Sequence, residues 1–208
     1  MKRITFWFDV VSPFAYLAFQ RLPQELAGLS YEVLYRPVLF AGLLAHWGQK
    51  GPAEIEPKRA WTFRHVHWLA EHHGIVLRTP AMHPFNPLAL LRLALACEPN
   101  RRVVEALFTH VWQDGGDAAD AARLACLTAE LAPARDPHSA EVKAELRSAT
   151  DEAIARGVFG VPAFELEGRL FWGLDALPML RAALAGEGWF DGPAWEREGV
   201  PRPGVVRR

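Results

Sequence analysis

The sequence predicts an α/β fold in which strands from the two ends of the chain build one small sheet and an all-helical segment is inserted between them. Three observations predict it. An apolar, aromatic run from Ile4 to Val10 and an alternating run from Tyr31 to Val38 flank a stretch of helical spacing. Residues 57–156 carry helical patterns alone, rich in alanine and leucine. After Gly157 the alternation of strands returns.

Each element has a local cause. Ile4 to Val10 is apolar apart from Thr5 and Asp9, which suits a buried strand. Ser12-Pro13 follows, a hydroxyl N-cap with proline at the first helical position, and Phe14, Leu17, Ala18 and Leu22 then recur at helical spacing as far as Leu26. Tyr31 to Val38 places Val33 and Tyr35 on one face and Leu34 on the other, completing a βαβ unit. Helices are predicted over 57–73, 86–97, 101–112, 117–131 and 139–156, broken at Gly74, Pro99-Asn100, Gly115-Gly116 and 133–137. Ala163 to Glu167 alternates, Gly168-Arg169 reads as a hairpin turn, and Leu170 to Trp172 resumes the sheet. A last helix covers 177–184, and the proline-bearing segment from Asp191 reads as a loosely packed tail. The expected division is therefore 1–40 with 157–190 as one discontinuous α/β domain, 41–156 as a helical insertion domain, and 191–208 as an extended tail.

Composition bounds the function. The 208 residues include 23 Lys+Arg and 24 Asp+Glu, a net charge of −1, which offers no field to steer nucleic acid or an anionic membrane. Half of the residues are hydrophobic, as in ordinary globular domains. The basic start Met1-Lys2-Arg3 precedes an apolar run too short for a signal peptide and interrupted by Asp9, so a cytoplasmic chain is expected. No apolar run approaches a membrane span. The two cysteines, Cys97 and Cys126, form neither a C-x-x-C pair nor a disulfide framework and read as small core residues.

Two motifs carry chemistry. Ser12 ends a buried strand and opens a helix, so its hydroxyl sits at the positive end of a helix dipole, where an anion is well held. An ordinary helix cap explains the same residues. In Gly157-Val158-Phe159-Gly160-Val161-Pro162, proline at the very start of a strand is a place for a cis bond that would expose the Val161 N–H and C=O to an extended, peptide-like ligand. A trans proline at a strand edge is the plain alternative. Together, a βαβ start with a special residue at the helix N-terminus and a late V-P before a hairpin form the layout of the thioredoxin fold. Ser12-Pro13-Phe14-Ala15 stands where a redox C-x-x-C would be, which excludes disulfide exchange by the chain's own thiols at that place.

F-D-V-V-S-P-F-A-Y-L-A from Phe8, R-P-V-L from Arg36, P-F-N from Pro84, G-V-F-G-V-P from Gly157 and W-G-L-D from Trp172 resemble the 2-hydroxychromene-2-carboxylate isomerases. That family is similar to kappa-class glutathione transferases and, more distantly, to the DsbA oxidoreductases. The resemblance spans about residues 3–186. It implies glutathione as a recycled cofactor, a homodimer, and isomerisation of 2-hydroxychromene-2-carboxylate to trans-o-hydroxybenzylidenepyruvate in naphthalene-type catabolism. It also implies that Ser12 holds the glutathione sulfur as thiolate. Val161 and Pro162 would take the peptide backbone, and Asp175, lined by Trp172, Gly173 and Leu174, the γ-glutamyl ammonium. For Asp175 a helix N-cap is an equal alternative on local grounds. Asn86, Gln49, Lys58 with Arg59, and Arg36 match substrate-side positions. For Asn86 a helix cap, and for the basic residues a solvated charge, account for the same pattern. A kappa-like transferase and a glutathione- or peptide-binding module without redox cysteines are the alternatives.

His65, His67, His72 and His73 gather around Glu71, and His67 with Glu71 has i,i+4 spacing. No H-E-x-x-H occurs, so an exposed polar face rather than a metal site is expected, with Trp61, Phe63 and Trp68 lining core or cleft.

Overall fold

The computed structural model describes residues 1–200 and Gly204. The part of the expected tail at 201–203 and 205–208, with Arg202, lies outside the described residues. Strand β1 (Lys2–Phe8) lies inside a four-stranded sheet of order β2-β1-β3-β4. β2 (Tyr31–Pro37) runs parallel to β1 after helix α1 (Pro13–Glu25), with Lys2 opposite Tyr31 and Phe8 opposite Pro37. β3 (Ala163–Leu166) pairs antiparallel with β1, and β4 (Arg169–Trp172) antiparallel with β3. The two ends of the chain thus share one sheet.

Period-two alternation gives β1 two buried faces. Ile4, Phe6 and Phe8 point into the main core, where Phe6 stacks on Phe8 at 5.4 Å and on its cross-strand partner Phe164 at 4.9 Å. Trp7 points the other way, into a smaller core with Val38, Leu43, Val158, Val161 and Ala163. Between β2 and β3 come α2 (Phe40–His46), α3 (Glu56–His72), α4 (Leu88–Ala96), α5 (Arg101–Trp112), α6 (Ala121–Leu131) and α7 (Ala140–Ala155). α5 enters the main core: Phe108 meets Phe8 at 5.7 Å, Tyr16 at 5.8 Å and Phe19 at 5.3 Å. α8 (Leu177–Ala185) packs beside α1 and β3.

Several expectations need correction. β1 stops at Phe8 rather than Val10, because Asp9 turns its carboxylate to the N–H groups of Val11 and Phe40 instead of continuing the ladder. Helix α2 was not expected; its apolar run is short and lacks a side-chain cap. The stretch expected to be helical from Asp117 begins at Ala121, where Asp120 accepts the Arg123 N–H. The expected extended tail from 191 instead follows α9 (Gly188–Asp191) directly with α10 (Pro193–Gly199), because Trp195 packs on Phe171 at 5.6 Å and Phe190 at 5.8 Å. Cys97 is partly buried against the core as expected, whereas Cys126 is exposed, since α6 buries Leu127 and Leu131 instead.

The hairpin turn is also shifted by one residue. Leu166 pairs with Arg169, so the loop is Glu167-Gly168, and both have positive φ, +53° and +79°. That is the type I′ geometry, which favours Asn-Gly. Glu167 contributes exposed ion pairs to Lys2 and Arg169, each worth little in water. Glu167→Asn is therefore expected to raise the unfolding free energy by about 0.5–1 kcal/mol in denaturant titration. A loss of stability would show that the ion pairs outweigh the backbone preference.

Candidate active site

Ser12 is nearly buried and caps α1: its Oγ accepts the Ala15 N–H at 3.2 Å. The same hydroxyl donates to the Val161 carbonyl at 3.4 Å, a long and weak contact across the sheet edge. The cap and a second hydrogen bond therefore coexist, because a hydroxyl has lone pairs for the helix and a proton to give elsewhere. The Val161–Pro162 bond is cis, as the motif suggested. Among the described residues the Val161 N–H has no hydrogen-bond partner.

From there the contacts run on. The Pro162 carbonyl accepts the Gly173 N–H at 3.0 Å. Gly173 has φ +99°, and a Cβ there would lie 2.4 Å from Asp175 Oδ1, so the turn requires glycine. Asp175 is exposed, sits in the short 3₁₀ turn Leu174–Ala176 before α8, and caps neither, so the helix-cap alternative fails. Its carboxylate has no hydrogen bond or ion pair among the described residues. Trp172 is exposed and meets Phe159 at 5.0 Å, and its indole lies over Gly160, where a Cβ would come within 2.7 Å of Nε1. Ser12, Val161, Pro162, Trp172, Gly173 and Asp175 are thus joined in one edge of the fold, with Leu174 packed beneath.

The substrate-side candidates scatter more. Arg36 is paired with Glu152 and lies 5.8 Å from the Trp7 ring, so its charge is already engaged. Asn86 is exposed and accepts the Leu88 N–H at 3.0 Å, the cap-like alternative. Gln49 and Lys58 are exposed, without side-chain partners among the described residues. Arg59 donates to the His83 carbonyl at 2.7 Å. Two cavities of about 570 and 250 Å³ lie between α5 and α6 and beside α4; neither is lined by Ser12 or Val161. Trp61 and Trp68 are exposed rather than core, and each lies against a histidine one turn on, His65 and His72. Phe63 is half-buried against His83. His67 bonds Thr79 at 2.8 Å, and no group of His, Cys, Asp or Glu among the described residues is placed to hold a metal ion.

Sequence reasoning passed over the residues that hold the loop before Ser12. Asp9 is fully buried, with one carboxylate oxygen on the Val11 N–H at 3.0 Å and the other on the Phe40 N–H at 2.9 Å. Trp112 Nε1 donates to the Val10 carbonyl at 2.8 Å, and His83 Nε2 donates to that of Val11 at 2.8 Å. An acid closing an apolar strand was the one signal available for Asp9. Burial pushes the Asp9 carboxyl up to about 7 against the two N–H bonds, which pull it down. Burial holds His83 below its ordinary value, against the bond to the Val11 carbonyl that pulls it up.

A family model described as a DSBA-like thioredoxin domain matches residues 3–185. A 2-hydroxychromene-2-carboxylate isomerase of Sphingobium xenophagum is 29% identical over 193 residues, covering 88% of this chain and 98% of its own. Glutathione S-transferase kappa 2 of Caenorhabditis elegans is 28% identical over 222 residues, 95% and 97% of the two chains. Among solved structures, that of a 2-hydroxychromene-2-carboxylate isomerase superposes with a TM-score of 0.79 at 24% identity, over 91% of this chain and 97% of that one, which is a likeness of fold.

Asp9 yields a test of the electrostatics. A carboxyl whose folded value exceeds its unfolded one gives stability that is present at low pH and lost as pH rises through about 7. From pH 5 to pH 8 the parent should lose about 2–3 kcal/mol relative to Asp9→Asn, whatever constant offset the lost N–H partner imposes. Denaturant titrations at both pH values check this; parallel pH profiles would show that Asp9 ionises normally.

Proposed function

The chain belongs to the DSBA-like thioredoxin domain family, and from that membership and the geometry around Ser12 we propose a glutathione-dependent isomerase. Its substrate is an aromatic carboxylate, 2-hydroxychromene-2-carboxylate, and its product trans-o-hydroxybenzylidenepyruvate. The relatives named as isomerase and as kappa-class transferase support a glutathione-related enzyme. The finer reading rests on one observation: a serine hydroxyl at a helix N-terminus in contact with the Val161 carbonyl of a cis-proline turn, whose Val161 N–H is unpaired among the described residues.

The residues present fit glutathione. A free Val161 N–H offers a strand-like bond to a peptide backbone, and the unpartnered Asp175 carboxylate, held against Gly173, offers a counter-charge to an ammonium. When bound, glutathione would supply a thiolate able to add to the conjugated double bond and leave again after rotation, while opening of the hemiketal ring C–O bond, with the C2 hydroxyl proton passing to the phenol oxygen, would complete the isomerisation. Ser12 exchanges its weak contact to the Val161 carbonyl for a hydrogen bond to the sulfur, and the α1 N-terminus adds its positive potential. Both favour S⁻ over SH and lower a thiol pKa from about 8.5 toward neutrality. Ser12 is thus a stabiliser of a nucleophile and not the nucleophile. In this reading, 1–40 with 157–190 hold glutathione, while 41–156 shape the substrate end, where Lys58, Asn86 and Gln49 remain available. A cytoplasmic homodimer is the expected setting.

A kappa-like transferase, the reading favoured by the Caenorhabditis elegans relative, would consume glutathione. A spectrophotometric isomerase assay with and without glutathione, joined to a glutathione mass balance, separates the two. Ser12→Ala should cost about 1 kcal/mol of stability as a lost cap, slow the reaction at neutral pH and recover part of the rate as pH rises. Full activity of that variant at every pH would reduce Ser12 to a cap. Asp175→Ala should weaken glutathione binding by roughly 1–3 kcal/mol in calorimetry.

A further inference from the structure

We propose that Asp9 and His83 are positioning residues for Ser12, gripping the two backbone groups of Val11 from opposite sides and so fixing the direction of the neighbouring hydroxyl. The proposal rests on the reading of Ser12 as holder of a glutathione thiolate. Val11 precedes Ser12, and both of its polar backbone groups are taken by side chains: its N–H by Asp9 Oδ1 at 3.0 Å, its carbonyl by His83 Nε2 at 2.8 Å. A carbonyl only accepts, so Nε2 carries the ring proton and Nδ1 holds the lone pair. Nδ1 is buried without a partner, with Phe63 at 5.1 Å and Trp112 at 5.7 Å from the ring. A histidine kept with one nitrogen unpaired is costly unless the other nitrogen is needed.

The grip is anchored at both ends. Asp9 Oδ2 takes the Phe40 N–H at the start of α2, and the Asp9 carbonyl takes the Ser12 N–H at 3.1 Å. On the other side, Arg59 of α3 donates to the His83 carbonyl at 2.7 Å. The helical insertion thereby reaches the loop that aims Ser12. Neither residue is free to touch a bound ligand through these groups, since Asp9 is fully buried and both His83 nitrogens are engaged or sealed. Their effect passes through Val11.

The test uses His83→Leu, which removes the grip without removing a charge, and His83→Gln, whose Nε2 amide can reach the same carbonyl. Expected for His83→Leu are a kcat about tenfold lower, a glutathione dissociation constant within about threefold of the parent by calorimetry, and a pKa of the bound glutathione thiol, read from thiolate absorbance, raised by about half a unit or more. His83→Gln should restore most of each. Asp9→Asn keeps an acceptor for only one N–H and should lower kcat similarly. If Asp9 acted by its charge alone, that variant would lower the thiol pKa and raise the rate, which would overturn its part. Thiol pKa and kcat of His83→Leu within twofold of the parent would overturn the grip while leaving the Ser12 reading intact. If Ser12→Ala is equally silent, the thiolate reading fails and this proposal falls with it.

Discussion

One buried carboxylate ties together the loops on which the candidate site is built. β1 and β2 run parallel and end side by side, and their last residues, Phe8 and Pro37, face each other in register. The segments leaving the two strands are joined by the Val38 N–H on the Phe8 carbonyl at 2.9 Å and by Asp9, with one oxygen on the Val11 N–H and the other on the Phe40 N–H at the start of α2. The cost is desolvation of a charge, visible in a carboxyl raised to about 7. A carboxyl whose contribution to stability falls as pH rises toward 7, yet which bonds both segments, sits where local rules give way to a site. That the loops lie beyond the carboxyl ends of parallel strands, where open α/β sheets bind ligands, fits the same logic.

Serine at the head of α1 changes what the thioredoxin layout can do. A cysteine there would itself be the nucleophile, its thiolate favoured by the helix N-terminus. A hydroxyl at the same place keeps the favourable potential but is too weak an acid to attack unaided, and no base at hydrogen-bond distance activates it among the described residues. In the proposed function the fold then serves a thiol brought from outside. Cys97 and Cys126 do not replace the missing pair, since one is partly buried behind α4 and the other is exposed on α6.

How far the sequence could be read follows from the range of the interactions. The βαβ start, the hairpin and most helices were legible because period and capping are local signals, and Ser12 does cap α1 as its motif suggested, while Asn100 and Ser139 cap α5 and α7. The association of Ser12 with Val161 came from two motifs in a fixed order, not from either alone. Asp9 and His83 were not legible as a pair, because their shared target is Val11 and the partners lie 31 and 72 residues away for Phe40 and His83. The turn slipped by a residue because Glu167 occupies a left-handed position that glycine or asparagine would have announced. Trp61 and Trp68 misled for a related reason: aromatic side chains on a helix suggest burial, yet α3 buries only Val66 and Ala70 fully.

These contacts also bear on which kind of chemistry the site suits. Asp9 is the acid nearest in sequence to Ser12, and it is sealed with both oxygens occupied. His83 holds its proton on a carbonyl and its lone pair out of solvent. Neither can pass protons to a ligand without breaking the loop it supports. What the site presents is a hydroxyl donor and a helix N-terminus at Ser12 and, on the cis-proline turn, a Val161 N–H unpaired among the described residues, all of which stabilise negative charge without exchanging protons. Holding a thiolate and returning it unchanged, as the proposed function requires, asks for these groups, and the proton shift of ring opening can pass between the substrate's own oxygens.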